Sequence, residues 1–298
     1  MIEIRSESMF DILNIIQKEL IRNDILEIII PNPDLDNSTH SHSWRAWNDV
    51  ATLLYCRLLT PIKISEDRVT IKLQKLKLEN SFHLSKEIIR SEKYGRDSIF
   101  AKINKNEEPA FLYYYSNALK QVNISTRDTI VDLGINSGDE FEIIEKMVDE
   151  DRFKEIKLIG VDHSLSAINR AKEIFHQQNI EFYCHDINKL DSLEIPKADL
   201  IISIGTLQSP NINFKTLFMS LVQNYLTESG AIILGFPNSR WIDGEMIYGA
   251  KAPNYPFSEM SLVIKDIYFC KKYLQQHKFR VTITGKEYLF LTATRINL

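Results

Sequence analysis

Residues 130–140 read Ile-Val-Asp132-Leu-Gly134-Ile135-Asn136-Ser-Gly138-Asp139-Glu140. An apolar strand enters a glycine-bearing turn, and a helix follows. Glycine lets backbone approach a ligand closely and adopts positive φ without strain. A dinucleotide-binding turn would have the spacing G-x-G-x-x-G, with a pyrophosphate resting on the next helix N-terminus. Here the spacing is G-x-N-x-G, and Asn136 is the non-glycine residue type best suited to left-handed backbone. Asp139, Glu140 and Glu142 crowd the first helical turn. Carboxylates there suit the positive helix end but repel a phosphate. The pattern selects a cationic or zwitterionic ligand without a phosphate.

Such a turn needs a sheet to hold it. From about residue 127, apolar runs of strand length alternate with amphipathic runs of helix length, the signature of consecutive βα units on a parallel sheet. Strands are expected at 129–133, 157–161, 180–185, 199–204 and 231–236, and helices at 139–148, 166–177, 214–225 and 262–276. Two alternating runs around Gly285-Lys286 predict a terminal antiparallel hairpin. The chain before residue 107 is less regular. Helices are expected at 11–22 and 44–56, residues 69–78 read as a strand or a short helix, and 107–120 reads as a helix with Phe111, Leu112, Tyr115 and Leu119 on one side. The class is α/β, with an N-terminal α+β extension or cap over 1–106, a candidate substrate-binding part, preceding the main domain at 107–298.

Asp132 followed by Gly134, Asn136 and Gly138 resembles the first motif of the class I S-adenosylmethionine-dependent methyltransferases, an acid at the end of strand one followed by G-x-G-x-G. Asn136 replaces the middle glycine. The resemblance implies a Rossmann-like, seven-stranded sheet with an antiparallel strand closing its edge, and S-adenosylmethionine as cofactor. It also implies roles. Asp132 and the turn Gly134, Ile135, Asn136 and Gly138 would cradle the methionyl end. Asp162, beside His163, would take the ribose, whose two hydroxyls match the two oxygens of a carboxylate. Asp186-Ile187 would address the adenine, and Ser203 to Gly205 would lie near the sulfonium. Any one of these acids alone reads better as a helix cap or solvated loop residue. Three at successive strand ends, where ligands of open α/β sheets bind, favour the cofactor. The resemblance covers about residues 107–298.

The acceptor side is less defined. The motif [DN]-P-P-[YF] of enzymes that methylate exocyclic base amines or glutamine amides is absent after the fourth strand, where the chain reads Ile204-Gly205-Thr206-Leu207-Gln208. Thr206-Leu207-Gln208 is similar to the same segment of some tRNA wobble-uridine modification enzymes. A thiolate mechanism would need a cysteine near this loop. Cys184 falls within the third strand and reads as a buried structural thiol. Residues 237–256 read as an irregular loop, and loops of that length are commonly functional. Its Asn238, Arg240, Trp241 and Tyr248 are candidate acceptor contacts in a pocket or lid. Tyr248 and Gln208 are candidates for a general base.

The 298 residues are 44% hydrophobic and 26% charged, as in ordinary globular proteins, with a net charge of -4. The charge is uneven: -5 over 1–56, +6 over 57–105 and -5 thereafter. The basic belt, interleaved with Phe82, His83, Tyr94 and Phe100, has the composition of an RNA-tracking surface or of a solvated helix face. A small-molecule acceptor is preferred over RNA. His40-Ser-His42 lacks further ligands at metal-site spacing, so no metal is expected. Three separated cysteines, no signal sequence and no membrane-length apolar run point to the cytoplasm. The alternative function is a non-catalytic S-adenosylmethionine- or nucleotide-binding module whose N-terminal region engages a partner.

Overall fold

The computed structural model describes residues 1–35, 42–80, 103–250 and 258–296, which form two compact units. Residues 1–84 make the first unit together with residues 241–247, and the rest of the chain makes the second. No helix among the described residues is long and apolar enough to cross a membrane.

In the first unit β1 (Ile2–Glu3), β2 (Ile25–Pro31), β3 (Cys56–Lys63) and β4 (Arg68–Lys75) form a sheet of order β1-β2-β4-β3. The segment left open between strand and helix is thus a strand. Val69, Ile71 and Leu73 alternate onto one face, where Leu26, Ile28 and Ile30 of β2 join them. Helices α1 (Met9–Leu20) and α2 (Trp44–Leu53) cover that face with Ile12, Ile16, Trp47 and Val50. Ser8 caps α1 by accepting from the Asp11 amide at 3.2 Å.

The second unit begins with α3 (Pro109–Gln121) and continues through β5 (Thr129–Leu133), α4 (Asp139–Met147), α5 (Glu150–Glu155), β6 (Lys157–Asp162), α6 (Leu165–Ile174), β7 (Ile180–Cys184), β8 (Ala198–Ile204), α7 (Phe214–Ser220) and β9 (Leu226–Pro237). In chain order two short strands follow, β10 (Ser239–Ile242) and β11 (Glu245–Tyr248), of which residues 241–247 belong to the first unit; α8 (Ser261–Gln276), β12 (Phe279–Gly285) and β13 (Tyr288–Arg295) complete the second. The seven long strands run in the order β12-β13-β9-β8-β5-β6-β7. Neighbours from β9 to β7 pair in parallel, whereas β13 is antiparallel to both β9 and β12. The terminal hairpin is as expected, with one correction: the antiparallel strand is inserted one place inside the sheet, and β12 holds the edge. Its apolar run Phe290 to Ala293 is buried, as befits an interior strand, while β12 exposes alternate polar residues.

A second correction concerns residues 237–250 of the expected 237–256 loop; residues 251–256 lie outside the described residues. Instead of an irregular loop, β10 and β11 form a two-stranded ribbon turned by Asp243 and Gly244, both at positive φ (51° and 82°). Two successive left-handed residues make the type I′ turn that Asp-Gly favours. Arg57 of β3 grips this turn within the first unit: its guanidinium donates to the Asp243 carboxylate at 2.9 Å, to the Asp243 carbonyl, and to Glu245 at 2.7 Å. Asn80 adds a bond to Asp243 at 2.9 Å, and Ile242 and Ile247 pack on Leu76.

Arg57→Ala removes a forked, half-buried set of charge-assisted bonds worth on the order of 1–2 kcal/mol. Amide exchange across 241–247 should accelerate by roughly five- to thirty-fold, with exchange in Thr129–Leu133 unchanged. Equal exchange in variant and wild type would show that Arg57 does not anchor the ribbon.

Candidate functional site

Strand alternation sends Val131 and Leu133 to one face of the sheet and Ile130 with Asp132 to the other. The second face is covered by α3 and α4, where Phe111, Tyr115 and Phe141 pack around Ile130. Asp132 is therefore 0% exposed, and neither of its carboxylate oxygens has a hydrogen-bond partner. Glu140, on the first turn of α4, is 1% exposed and leaves its Oε2 without a partner. Between these acids the structure brings a residue that the sequence patterns did not reveal. Lys105, in a one-turn 3-10 segment before α3, is 8% exposed, with its Nζ 2.6 Å from Glu140 Oε1 and 3.7 Å from Asp139.

The segment carrying Lys105 is held in place by its neighbours. Asn104 caps it through the Asn106 amide at 3.1 Å, and the Asn106 side chain donates to the Asp139 carbonyl at 3.0 Å and to Glu142 at 3.1 Å. Burial disfavours charge on Lys105, but the attraction of Glu140 and Asp139 exceeds it and holds the ammonium protonated well above the usual range. Burial raises Glu140 despite Lys105. Burial, with the Glu140 charge added, pushes Asp132 well above the ordinary carboxylate range, and Lys105 only partly offsets this.

The turn above Asp132 follows the expected conformation. Gly134 (φ 84°), Asn136 (φ 48°) and Gly138 (φ 97°) are all left-handed. What excludes a side chain is the protein itself: a Cβ on Gly134 would lie 1.9 Å from Thr206 Oγ1, and one on Gly138 would lie 2.4 Å from the Phe175 ring. Asp162, at the end of β6, ties the turn down by accepting from the Asn136 amide at 3.1 Å and the Ser164 amide at 2.8 Å. His163 flanks it, with Nδ1 3.3 Å from Asp162. Ser203 is buried and donates to the Leu133 carbonyl at 3.0 Å, so β8 meets β5 just below the turn. Gly205 (φ 73°) donates to the Gly235 carbonyl at 2.8 Å. Ile135 is fully buried.

Asp186 stands past the end of β7, at the third successive strand end, and caps the 3-10 turn Ile187–Ser192 by accepting from the Asn188 amide at 2.9 Å. Ile187 is buried beneath it. Cys184 corrects the expectation of a buried thiol: it is exposed, because β7 is the outer strand. Two strands separate it from β8, about 14 Å at ordinary strand spacing. Cys270 is the deeply buried thiol, and burial pushes it up.

The acceptor candidates are dispersed. Asn238 is 1% exposed; it donates to the Lys286 carbonyl at 3.2 Å and leaves its own Oδ1 without a partner. Beside it, Glu287 is likewise buried with Oε2 unmatched. The Asn238 amide donates to the Glu287 carbonyl at 2.8 Å. Tyr248 is exposed and directs its hydroxyl to Met260 Sδ at 3.7 Å. Arg240 stands in the second unit and Trp241 in the first. Gln208 has a buried, unpartnered Oε1 and lines an open surface pocket of about 340 Å³ with Asn213, Phe214, Lys215, Lys265 and Asp266. Burial raises Asp266 in spite of the two lysines. His42 packs edge-on to Trp47. His40 and the belt residues Phe82, His83, Tyr94 and Phe100 lie outside the described residues.

A family model described as "Methyltransferase domain" matches residues 124–280. Among curated proteins, the carboxy-S-adenosyl-L-methionine synthase of Helicobacter pylori (strain HPAG1) is 24% identical over 159 residues, 51% of this chain and 63% of that protein. The chain thus spans less than two thirds of that relative's length. Among solved structures, the plantazolicin methyltransferase BpumL in complex with SAH is 15% identical, covering 70% of this chain and 94% of that one with a TM-score of 0.45. The N-methyltransferase NodS from Bradyrhizobium japonicum is 16% identical, covering 65% and 99% with a TM-score of 0.43.

Two stability predictions arise from this geometry. Gly134→Ala adds left-handed strain to a clash with Thr206 and should cost roughly 2–4 kcal/mol in urea unfolding. Asp132→Asn should stabilise the unliganded protein at neutral pH. Because the folded-state pKa of Asp132 is raised, the folded protein binds the extra proton, and stability declines as pH climbs from about 4 toward the raised value. Urea midpoints from pH 4.5 to 8 should fall less steeply in Asp132→Asn than in wild type. A parallel decline would show that Asp132 titrates normally.

Proposed function

We propose, for a chain that belongs to the class I S-adenosylmethionine-dependent methyltransferase domain family, that Asp132, the Gly134–Gly138 turn, Asp162 and Asp186 hold the cofactor and that the methyl group goes to a small-molecule acceptor. One observation carries the cofactor assignment: a fully buried carboxylate, Asp132, with both oxygens unmatched beside a left-handed turn. A buried carboxylate without partners is costly. A ligand bringing an ammonium and a sulfonium supplies the missing positive charge, whereas a pyrophosphate would deepen the repulsion.

The other assigned residues fit the same ligand. Asp162 uses each oxygen for one backbone amide and retains lone pairs for two ribose hydroxyls. Asp186 and the Ile187 amide address the adenine, His163 flanks the ribose carboxylate Asp162, Ile135 is buried beneath the methionyl turn, and Ser203 and Gly205 lie at the reacting end. S-adenosylmethionine supplies an activated methyl group, which needs only to be aligned with an acceptor nucleophile. The chain's task is then to position the acceptor and exclude water.

Two findings favour a small acceptor. The open pocket lined by Gln208, about 340 Å³, has room for a small ligand. Among the described belt residues, Arg57 pairs with Asp243 and Glu245, Arg68 with Glu3, Lys72 with Glu27, Lys75 with Asp24 and Lys105 with Glu140. Cations engaged in this way offer little to a phosphate backbone. Asn238 and Glu287, with their unmatched oxygens, are the proposed acceptor-side partners, and Gln208 lines the acceptor pocket. Arg240 and Tyr248, both in the second unit, are assigned to the acceptor approach.

Calorimetric titration tests the cofactor assignment. S-adenosylmethionine and S-adenosylhomocysteine should bind the wild type, and Asp162→Ala should weaken both about tenfold or more. Absence of binding, or equal affinity in the variant, would overturn it. Transfer of tritiated methyl groups to a low-molecular-weight extract, with none to RNA, is the expected acceptor result.

A further inference from the structure

Lys105 belongs to no recognised motif and lies outside the matched stretch 124–280. An ammonium carries three N–H donors. Glu140 Oε1 takes one at 2.6 Å, and Asp139 at 3.7 Å is beyond hydrogen-bond reach. Buried donors are thus left over on Lys105, while buried acceptors are left over on both oxygens of Asp132 and on Glu140 Oε2. Such groups ordinarily pair with one another. Here the backbone keeps them apart: β5 fixes Asp132, and the Asn104 and Asn106 bonds fix Lys105 against α4. Unspent donors and unspent acceptors of opposite charge, both buried and near enough for the Lys105 charge to act on Asp132, form the complement of a zwitterion.

We propose that Lys105 binds the α-carboxylate of the cofactor's methionyl group, while Asp132 accepts from its α-ammonium. The assignment rests on the cofactor reading above and adds a source of specificity to it. Without Lys105, the α-carboxylate would face Asp132, Asp139 and Glu140 with no cation between. With Lys105, the site discriminates for ligands that retain the carboxylate. Discrimination is strong in a site of this kind because an incomplete ligand leaves buried charge unpaired. The aromatic residues Phe111 and Tyr115 enclose the cluster, and the Lys105 Nζ lies 5.7 Å from the Phe111 ring centre.

The experiment compares S-adenosylhomocysteine with its decarboxylated analogue by calorimetry. Wild type should prefer the carboxylated ligand by about 10–100-fold. Lys105→Met should lose that preference and bind the decarboxylated analogue as wild type does. Lys105→Met leaves Glu140 buried without its counter-ion, so Lys105→Met/Glu140→Gln provides a charge-balanced control. This double variant should also lack the preference. If it regains the wild-type preference, Lys105 serves only to neutralise Glu140 and the proposal fails. Equal binding of both ligands by wild type overturns the Lys105 assignment alone, whereas binding of neither overturns the cofactor reading together with it.

Discussion

A carboxylate buried at a strand end with nothing to neutralise it is the constraint around which the second unit is built. Taking a carboxylate out of water costs several kcal/mol even after relaxation. Asp132 bears that cost because Phe111, Tyr115 and Phe141 close the face of the sheet above it. The aromatic cover also lowers the local dielectric, which strengthens every interaction made inside. Lys105 moderates the charge without cancelling it, since Glu140 claims the ammonium at 2.6 Å. The unliganded protein thus stores unfavourable electrostatics at the point where a cationic ligand would relieve them.

The rest of the sheet positions the groups proposed to share this ligand. β5, β6 and β7 end side by side, and each delivers an acid at its carboxyl end: Asp132, Asp162 and Asp186. β8 brings Thr206 against Gly134 and Ser203 beneath Leu133, so the turn is braced from below. The glycines are required because protein atoms already fill the space a side chain would use. Asp162 braces the turn from the other side through the Asn136 amide. The turn is fixed before a ligand arrives, which reduces the ordering cost of binding.

In the first unit, charge serves architecture. Among the described belt residues, Arg68, Lys72 and Lys75 are matched with carboxylates in or beside neighbouring strands, and Arg57 is matched with a turn drawn from far along the chain. Net charge over a segment is therefore a poor guide to what that segment binds. The same ribbon places strands at Ser239–Ile242 and Glu245–Tyr248 where composition suggested a loop. Asp243-Gly244 was the available sign, and it is a strong one between alternating apolar residues.

Local chemistry was legible without coordinates. The apolar runs marked Thr129–Leu133 to its ends, and the periodicity, the glycine spacing and the acids at three strand ends pointed to the sheet and its family, because each depends on residues close together in the chain. Helix and strand stayed ambiguous at 69–78 because a short apolar alternation fits both until a partner strand supplies hydrogen bonds. Only tertiary structure brought Lys105 to Glu140, 35 positions away. It also inserted β13 inside β12, left Cys184 on the open side of an outer strand, and carried Asp243 to Arg57 across 186 positions. The sequence by itself determined which groups could bind a cation-bearing cofactor. The fold decided which of them are stripped of water and left unpaired, since burial and pairing depend on what packs from elsewhere in the chain.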